Sequence, residues 1–169
     1  KYKAILFDMD GTLLDTLTDM ADAVNHILSV HGWPLRTTEE VRAFVGNGAR
    51  RLMERAVPPE VTGGDFEAVL TEYRDWYQAH NCVATAPYPG IPALLDTLVA
   101  AGVKTAVVSN KPDATTRALA ARFFPGLPAF GQRDDVPPKP APDLVFRALE
   151  TLGVDAADAV YVGDSEVDV

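Results

Sequence analysis

The hydrophobic positions along this chain follow two patterns that alternate. Short apolar runs with little polar alternation are typical of strands buried on both faces of a parallel sheet. The stretches that separate the later runs repeat apolar residues three and four positions apart, which predicts amphipathic helices. Strands that alternate with helices favour an α/β fold with a doubly wound parallel sheet. The predicted strands are Ala4–Phe7, Val103–Val108, a weaker Pro128–Gly131 and Ala159–Val162, and the predicted helices of this part are residues 93–101, 113–124 and 143–152.

The alternation of strands and helices is interrupted between residues 16 and 82, where helical spacing continues without a convincing strand. Thr37, with Glu40 three residues later, has the form of a capping box at the start of one helix. Asp65 is expected to cap a longer helix. An aromatic-rich stripe on that helix is interpreted as the core of a helix bundle, with Phe66, Val69, Leu70, Tyr73, Trp76 and Tyr77 as its members.

This change of pattern predicts two domains. Residues 1–15 and 83–169 would form a discontinuous α/β core, and residues 16–82 would be an inserted all-helical cap. The return to the core passes through Val83–Pro92, whose prolines predict a stiff linker without regular structure.

The first strand ends in two carboxylates. Asp8 and Asp10 stand two residues apart, so on an extended backbone they face the same side before Gly11 turns the chain. Paired carboxylates at the carboxyl end of a strand indicate a ligand site, and oxygen ligands of this kind favour Mg²⁺. A calcium-binding EF-hand loop does not fit, because Leu13 and Asp19 stand where that loop needs Gly and Glu. An acidic turn that merely caps the next helix is the alternative that these residues leave open.

Two later strands also end in polar residues. Ser109 and Asn110 follow Val103–Val108, and Asp164 follows Ala159–Val162. Because parallel strands present their carboxyl ends at one edge of the sheet, these residues and Asp8 are expected to converge on one ligand. Taken alone, Ser109-Asn110 would more simply be a helix-capping turn.

Composition narrows the class of protein. The 169 residues are 47% hydrophobic, enough for a substantial buried core. A net charge of -9 disfavours nucleic acid or an anionic membrane as a partner, and the sequence contains no basic run. The single Cys82 has no internal disulfide partner, and neither a signal peptide nor a spanning apolar segment is recognisable. We therefore expect a soluble cytoplasmic protein, a monomer or homodimer, that acts on a small molecule.

Four motifs in order resemble the haloacid dehalogenase superfamily. Asp8–Thr12 reads Asp-Met-Asp-Gly-Thr, as in its phosphatase members, and Asp10 argues against the dehalogenating ones. Ser109-Asn110-Lys111 has the form found in the superfamily's phosphoglycolate phosphatases. Lys139 in Lys-Pro-Ala-Pro-Asp and the acidic segment 164–168 resemble the third and fourth motifs, so the resemblance runs from Tyr2 to Asp168. Related proteins continue past the position of Val169, so either the C-terminal part of the core lies outside this sequence or the chain is truncated.

The resemblance implies a role for each motif residue. Asp8 would be the nucleophile that forms an aspartyl-phosphate, and Asp10 the general acid and base. Lys139 would offset repulsion between Asp8 and the substrate phosphate. Asp164 would hold Mg²⁺ together with Asp8 and the Asp10 carbonyl, and Asp168 would support that site from behind. Hydrogen bonds to the phosphoryl group are expected from Thr12, Ser109 and Asn110.

The implied reaction is hydrolysis of a small phosphomonoester, with 2-phosphoglycolate as the first candidate. A phosphosugar mutase of the same superfamily and a catalytically silent, truncated module remain alternatives. Within the cap, Gly46–Arg51 combines a helix start with two guanidinium groups, and Asn47 and Arg50 are expected to grip the far end of the substrate. The competing interpretation is that Arg50 and Arg51 only solvate a helix face, and Glu166 is expected to be solvated as well.

Overall fold

The computed structural model of this chain describes residues 1–168. It divides into two compact units, the first formed by Lys1–Asp15 with Ala86–Val169 and the second by Thr16–Thr85. The strands are β1 (Ala4–Phe7), β2 (Leu14–Asp15), β3 (Ala86–Pro87), β4 (Lys104–Pro112), β5 (Ala129–Gln132) and β6 (Ala159–Val162). The helices are α1 (Leu17–Val30), α2 (Thr38–Phe44), α3 (Gly48–Ala56), α4 (Gly63–His80), α5 (Ile91–Ala100), α6 (Asp113–Phe123) and α7 (Asp143–Leu152).

The first unit is built on a four-stranded parallel sheet in the order β5-β4-β1-β6. Ala4 and Leu6 are almost fully buried and pack with Ala106, Val108 and residues of α7 in one apolar cluster. Phe7, the last residue of β1, lies opposite Val107 of β4 and Val162 of β6. The residues that follow β1 and β6 and those at the end of β4 therefore emerge at one edge of the sheet, as the sequence predicts.

The linker after residue 83 is more regular than its prolines suggest. Ala86 and Pro87 form β3, which pairs antiparallel with β2, so that Leu14 lies opposite Pro87 and Asp15 opposite Ala86. The N–H of Tyr88 donates to the carbonyl of Leu13 and extends this ribbon. The prediction of an irregular linker is wrong here because proline is tolerated in edge strands, where its missing N–H faces no partner.

Strand β4 is longer than the sequence predicts. The apolar run ends at Val108, yet the strand continues to Pro112 with a shift in its register against β5 between those two residues. The end of β4 therefore includes three buried polar residues, Ser109, Asn110 and Lys111. This irregularity brings three polar side chains into the edge of the sheet.

The second unit consists of α1 to α4, and its largest apolar cluster is formed by their inward faces. The capping box predicted for α2 is present, with Thr37 and Glu40 each bonding to the other's backbone N–H. Helix α4 begins at Gly63 with Thr62 as its N-cap residue, so Asp65 lies in the first turn and is not the cap. Trp76 is only partly buried but packs against this cluster, and its ring stacks between those of His26 and His80.

Asp19, in the first turn of α1, joins the two ends of the second unit. Its buried carboxylate accepts hydrogen bonds from the backbone N–H groups of Val83, Ala84 and Thr85 and from the Thr85 hydroxyl, at 2.7–3.0 Å. A carboxylate satisfied in this way offsets the cost of its own burial. Asp19 therefore joins the beginning of the second unit to its end.

Candidate active site

The turn after β1 is closed by its own backbone hydrogen bonds. The N–H groups of Leu13 and Leu14 both donate to the carbonyl of Met9, and Gly11 adopts a φ of +80°. A Cβ atom on Gly11 would lie 2.2 Å from Oδ2 of Asp164, so only glycine fits between the turn and that carboxylate. Gly11 thus brings the end of β6 against the end of β1.

Asp8 is buried and carries an unusual carboxyl group. Its Oδ1 accepts a 2.7 Å hydrogen bond from the N–H of Met9 and lies 3.2 Å from Nζ of Lys139. Burial, reinforced by the charges of Asp10 and Asp168, raises the pKa of Asp8 to about 7 even though Lys139 and the Met9 N–H oppose the rise. Full ionisation at neutral pH therefore needs further positive charge beside Asp8.

Lys139 is fixed by three oxygen atoms. Its ammonium lies 2.6 Å from Oδ1 of Asp168, 2.6 Å from the Tyr161 hydroxyl and 3.2 Å from Oδ1 of Asp8. An ammonium group has three N–H donors, so this set matches its capacity. Lys139 lies beside the predicted nucleophile, at the place that its expected role requires.

Tyr161 is a site residue that the sequence analysis missed. From β6 its hydroxyl donates a 2.7 Å hydrogen bond to the carbonyl of Val108 on β4 and accepts from Lys139. Burial and the carboxylates of Asp8 and Asp168 raise the pKa of Tyr161, so the hydroxyl keeps its proton and remains a donor. Its position inside an apolar strand run was the available signal, because a hydroxyl there needs a partner.

Asn110 and Ser109 lie at the site but make contacts other than those predicted. The side-chain amide of Asn110 donates to the carbonyl of Lys139 and accepts from the N–H of Lys139, at 3.0 and 2.8 Å. Asn110 therefore positions the backbone of the Lys139 loop. Ser109 is 1% exposed, and its hydroxyl oxygen accepts from the N–H of Lys111. Phosphate binding by Ser109 and Asn110 stays a prediction.

Asp10 contacts a second buried lysine. Its Oδ1 lies 3.2 Å from Nζ of Lys111, whose side chain is 4% exposed. The sequence indicates Lys111 only as part of a motif and predicts no contact for it. An ammonium group at this depth is costly without a nearby anion, and Asp10 supplies one.

Three carboxylates form a group that fits a divalent cation. Oxygen atoms of Asp8, Asp164 and Asp168 lie within 4.8 Å of one another. Thr12, predicted to bind phosphate, donates a 3.0 Å hydrogen bond to Oδ1 of Asp164 instead. An all-oxygen set with an exposed member is the donor chemistry that Mg²⁺ prefers, so the residues fit this ion.

Asp168 is the inner member of this group. Its Oδ2 accepts from the N–H and the hydroxyl of Ser165, and its Oδ1 accepts from Lys139. Burial opposes its ionisation, but Lys139 and Ser165 outweigh that effect and hold the pKa of Asp168 below its ordinary value. With both oxygens engaged, Asp168 holds Lys139 in place, and its role behind a metal site stays a prediction. Glu166 is exposed, as predicted.

The two predicted cap residues lie in the second unit. Asn47 is the N-cap residue of α3 and makes no side-chain capping bond. Arg50 forms a bidentate pair with Glu67 on α4, at 2.8 and 2.9 Å, and Arg51 pairs with Glu54. Binding of a substrate anion by Arg50 would require the pair with Glu67 to open, and the role of Arg50 and Asn47 stays a prediction.

Comparison with known proteins places these features in a family. The family model for haloacid dehalogenase-like hydrolases matches residues 2–169. N-acetylmuramic acid 6-phosphate phosphatase of Pseudomonas aeruginosa is 33% identical over all of this chain, which spans 76% of that protein. Phosphoglycolate phosphatase of Pseudomonas savastanoi pv. phaseolicola is 36% identical over 99% of this chain, which spans 64% of that protein.

A solved structure extends the similarity to three dimensions. A predicted phosphoglycolate phosphatase from Haemophilus somnus superposes with a TM-score of 0.91 at 29% identity, over 99% of this chain and 79% of that chain. The chain belongs to the haloacid dehalogenase-like hydrolases. Within them, its relatives indicate a phosphoric monoester hydrolase, and several of these relatives are phosphoglycolate phosphatases. Among the helices of residues 1–168, none has both the length and the apolar character needed to cross a membrane.

Proposed function

We propose that this chain hydrolyses 2-phosphoglycolate to glycolate and phosphate by way of a phosphoryl group carried on Asp8. The observation that carries the proposal is the Asp8 carboxylate, held 3.2 Å from the buried ammonium of Lys139 at the carboxyl edge of the sheet. The similarity to phosphoglycolate phosphatases across 99% of the chain supports the choice of substrate.

In the first half-reaction, the free oxygen of Asp8 attacks phosphorus and the ester P–O bond breaks. Asp10 donates its proton to the departing alkoxide, which leaves as glycolate. In the second half-reaction, Asp10 takes a proton from a water molecule as that water attacks the phosphorus of the aspartyl-phosphate. The bond to Asp8 then breaks and inorganic phosphate is released.

Lys139 contributes positive charge beside the attacking carboxylate and so reduces its repulsion of an incoming phosphate dianion. Tyr161, Asp168 and Asn110 hold this lysine, the first two at its ammonium and the third at its backbone. Asp8, Asp164 and the Asp10 carbonyl would hold Mg²⁺, with Asp168 behind them. When bound, the ion neutralises phosphoryl charge and favours the ionised form of Asp8.

A second substrate follows from the Pseudomonas aeruginosa relative, which is named for N-acetylmuramic acid 6-phosphate and matches the whole chain. The two candidates differ in size and in the distance between the phosphate and the carboxylate. The kcat/KM of the purified protein for each, with Mg²⁺ present, decides between them.

The mechanism is tested by quenching a turnover reaction in acid and searching for a phosphorylated peptide that contains Asp8. Asp8→Asn should give neither this peptide nor phosphate release, while Asp10→Asn should slow both half-reactions by about 10²–10⁴-fold, the usual contribution of acid–base catalysis. Phosphate release from Asp8→Asn within tenfold of the wild-type rate would contradict the assignment.

A further inference from the structure

A buried cation other than the one beside the nucleophile lies at the active site. Lys111 sits near the end of β4, two residues after Ser109, and its side chain is 4% exposed. Its Nζ lies 3.2 Å from Oδ1 of Asp10. The proposed mechanism assigns roles to Lys139 and Asp10 but none to Lys111.

The two lysines serve opposite sides of the reacting phosphorus. Lys139 contacts Asp8, so it lies on the side of the attacking oxygen. Lys111 contacts Asp10, which protonates the departing oxygen. In an in-line displacement, the attacking and departing oxygens are on opposite faces of phosphorus. Lys111 is therefore the cation on the leaving-group side.

We propose that Lys111 is a specificity-determining residue that binds a carboxylate attached to the carbon next to the departing oxygen. The inference rests on the proposed function and adds a reason for the choice of substrate. In 2-phosphoglycolate the departing oxygen, a methylene carbon and the carboxylate follow one another directly. An ester whose carboxylate is remote from its phosphate gains nothing from this contact.

The distances allow such a contact. Asp10 must approach the departing oxygen to within a hydrogen bond, about 2.8 Å. Since Nζ of Lys111 is 3.2 Å from Oδ1 of Asp10, it lies within about 6 Å of the departing oxygen when that oxygen bonds to the same Oδ1, two hydrogen-bond lengths away. A carboxylate on the next carbon falls inside this span, so it can contact the ammonium group while Asp10 contacts the departing oxygen.

The charges also favour an anion there. Asp8, Asp10, Asp164 and Asp168 bring four carboxylates to the site, and Lys139 already contacts two of them. Without a cation on its own side, a substrate carboxylate would meet only the negative charge of the ionised carboxylates among them. Lys111 supplies a positive charge on that side, and its burial strengthens the attraction.

The test compares two esters of nearly the same size, 2-phosphoglycolate and 2-hydroxyethyl phosphate, which carries a hydroxyl group in place of the carboxylate. The kcat/KM for both is measured with Mg²⁺ for the wild type, for Lys111→Met and for Lys139→Met. Lys111→Met should lower kcat/KM for 2-phosphoglycolate roughly 10- to 100-fold more than for 2-hydroxyethyl phosphate, as expected for a lost charge-assisted hydrogen bond. Lys139→Met should reduce both to a similar extent.

Equal losses on the two esters in Lys111→Met would overturn the inference, because Lys111 would then only orient Asp10. The inference would also be overturned if Arg50→Ala, and not Lys111→Met, lowered kcat/KM selectively for 2-phosphoglycolate. If Lys111→Met does not fold, as judged by its thermal unfolding, Lys111→Gln supplies the same comparison. A wild type that releases phosphate from neither ester would refute the proposed function itself, an outcome distinct from equal losses in an active enzyme.

Discussion

At the scale of single residues, the buried carboxyl of Asp8 links the chemistry of the site to its stability. Its pKa rises from 3.8 to about 7 on folding, so between these values the folded chain holds a proton that the unfolded chain has released. This preference favours the folded state at low pH and is lost as the pH rises toward 7. Above pH 7, without a metal ion, the folded protein carries a buried charge that weakens it.

Asp8→Asn is therefore expected to be inactive but more stable than the wild type in the presence of a chelator. The gain should be roughly 2–4 kcal/mol at pH 8, where the wild-type carboxylate is ionised, and should shrink toward pH 4. Thermal or urea unfolding of both proteins across this pH range measures it. A constant difference between pH 4 and 8 would show that Asp8 does not titrate as its burial indicates.

Tyr161 acts on the reaction through Lys139. Tyr161→Phe removes the hydroxyl that fixes the ammonium group and leaves the carbonyl of Val108 without that donor. We expect kcat to fall about tenfold, in line with one lost hydrogen bond to a charged group, with a smaller change in KM. Tyr2→Phe, at a tyrosine that is 56% exposed, is the matched control and should change neither constant. A fall confined to KM would mean that Tyr161 contacts substrate rather than Lys139.

At the scale of elements, sequence patterns predicted the helices and strands whose apolar residues show a regular spacing or run. Period-3.6 spacing located α1, α4 and α7, and an apolar run located β1, because these elements bury one face or both. An apolar run also located β6, whose residues are only partly buried or exposed. The two-residue strands β2 and β3 carry too few positions for any period to show. Likewise, the contacts of Lys111 with Asp10 and of Asn110 with Lys139 depend on the register shift in β4, which no local pattern encodes.

Helix α1 and the segment Val83–Thr85 are held together by Asp19. Asp19→Ala removes the acceptor for three backbone N–H groups and a hydroxyl, which should lower the free energy of unfolding by about 2–4 kcal/mol. Asp22→Ala, at an exposed position of the same helix, should change it by less than about 0.5 kcal/mol. Urea unfolding of the two variants checks this. Equal changes in the free energy of unfolding would show that Asp19 does not hold these segments together.

At the scale of the whole molecule, a chain with a net charge of -9 gathers four of its carboxylates at one site. Phosphate release should therefore stop on exhaustive chelation and return with Mg²⁺. Ca²⁺ should inhibit, because the larger ion prefers a higher coordination number and distorts in-line geometry. Turnover assays with each ion added to metal-free protein test this, and full activity in chelator would refute it.

The pairing of β2 with β3 has a consequence for how such a chain can change over time. Within the first unit, the backbone departs at Asp15 and resumes at Ala86 directly opposite, as the two arms of a hairpin do. To the sheet, the intervening seventy-residue helical bundle is equivalent to a hairpin loop, and lengthening a loop adds only a logarithmic entropic cost. A graft of another bundle, or of a short turn, between these arms would leave the pairing of the parallel strands intact, so the inserted bundle can be exchanged as a module while the strand ends that carry Asp8, Lys111 and Asp164 are inherited unchanged.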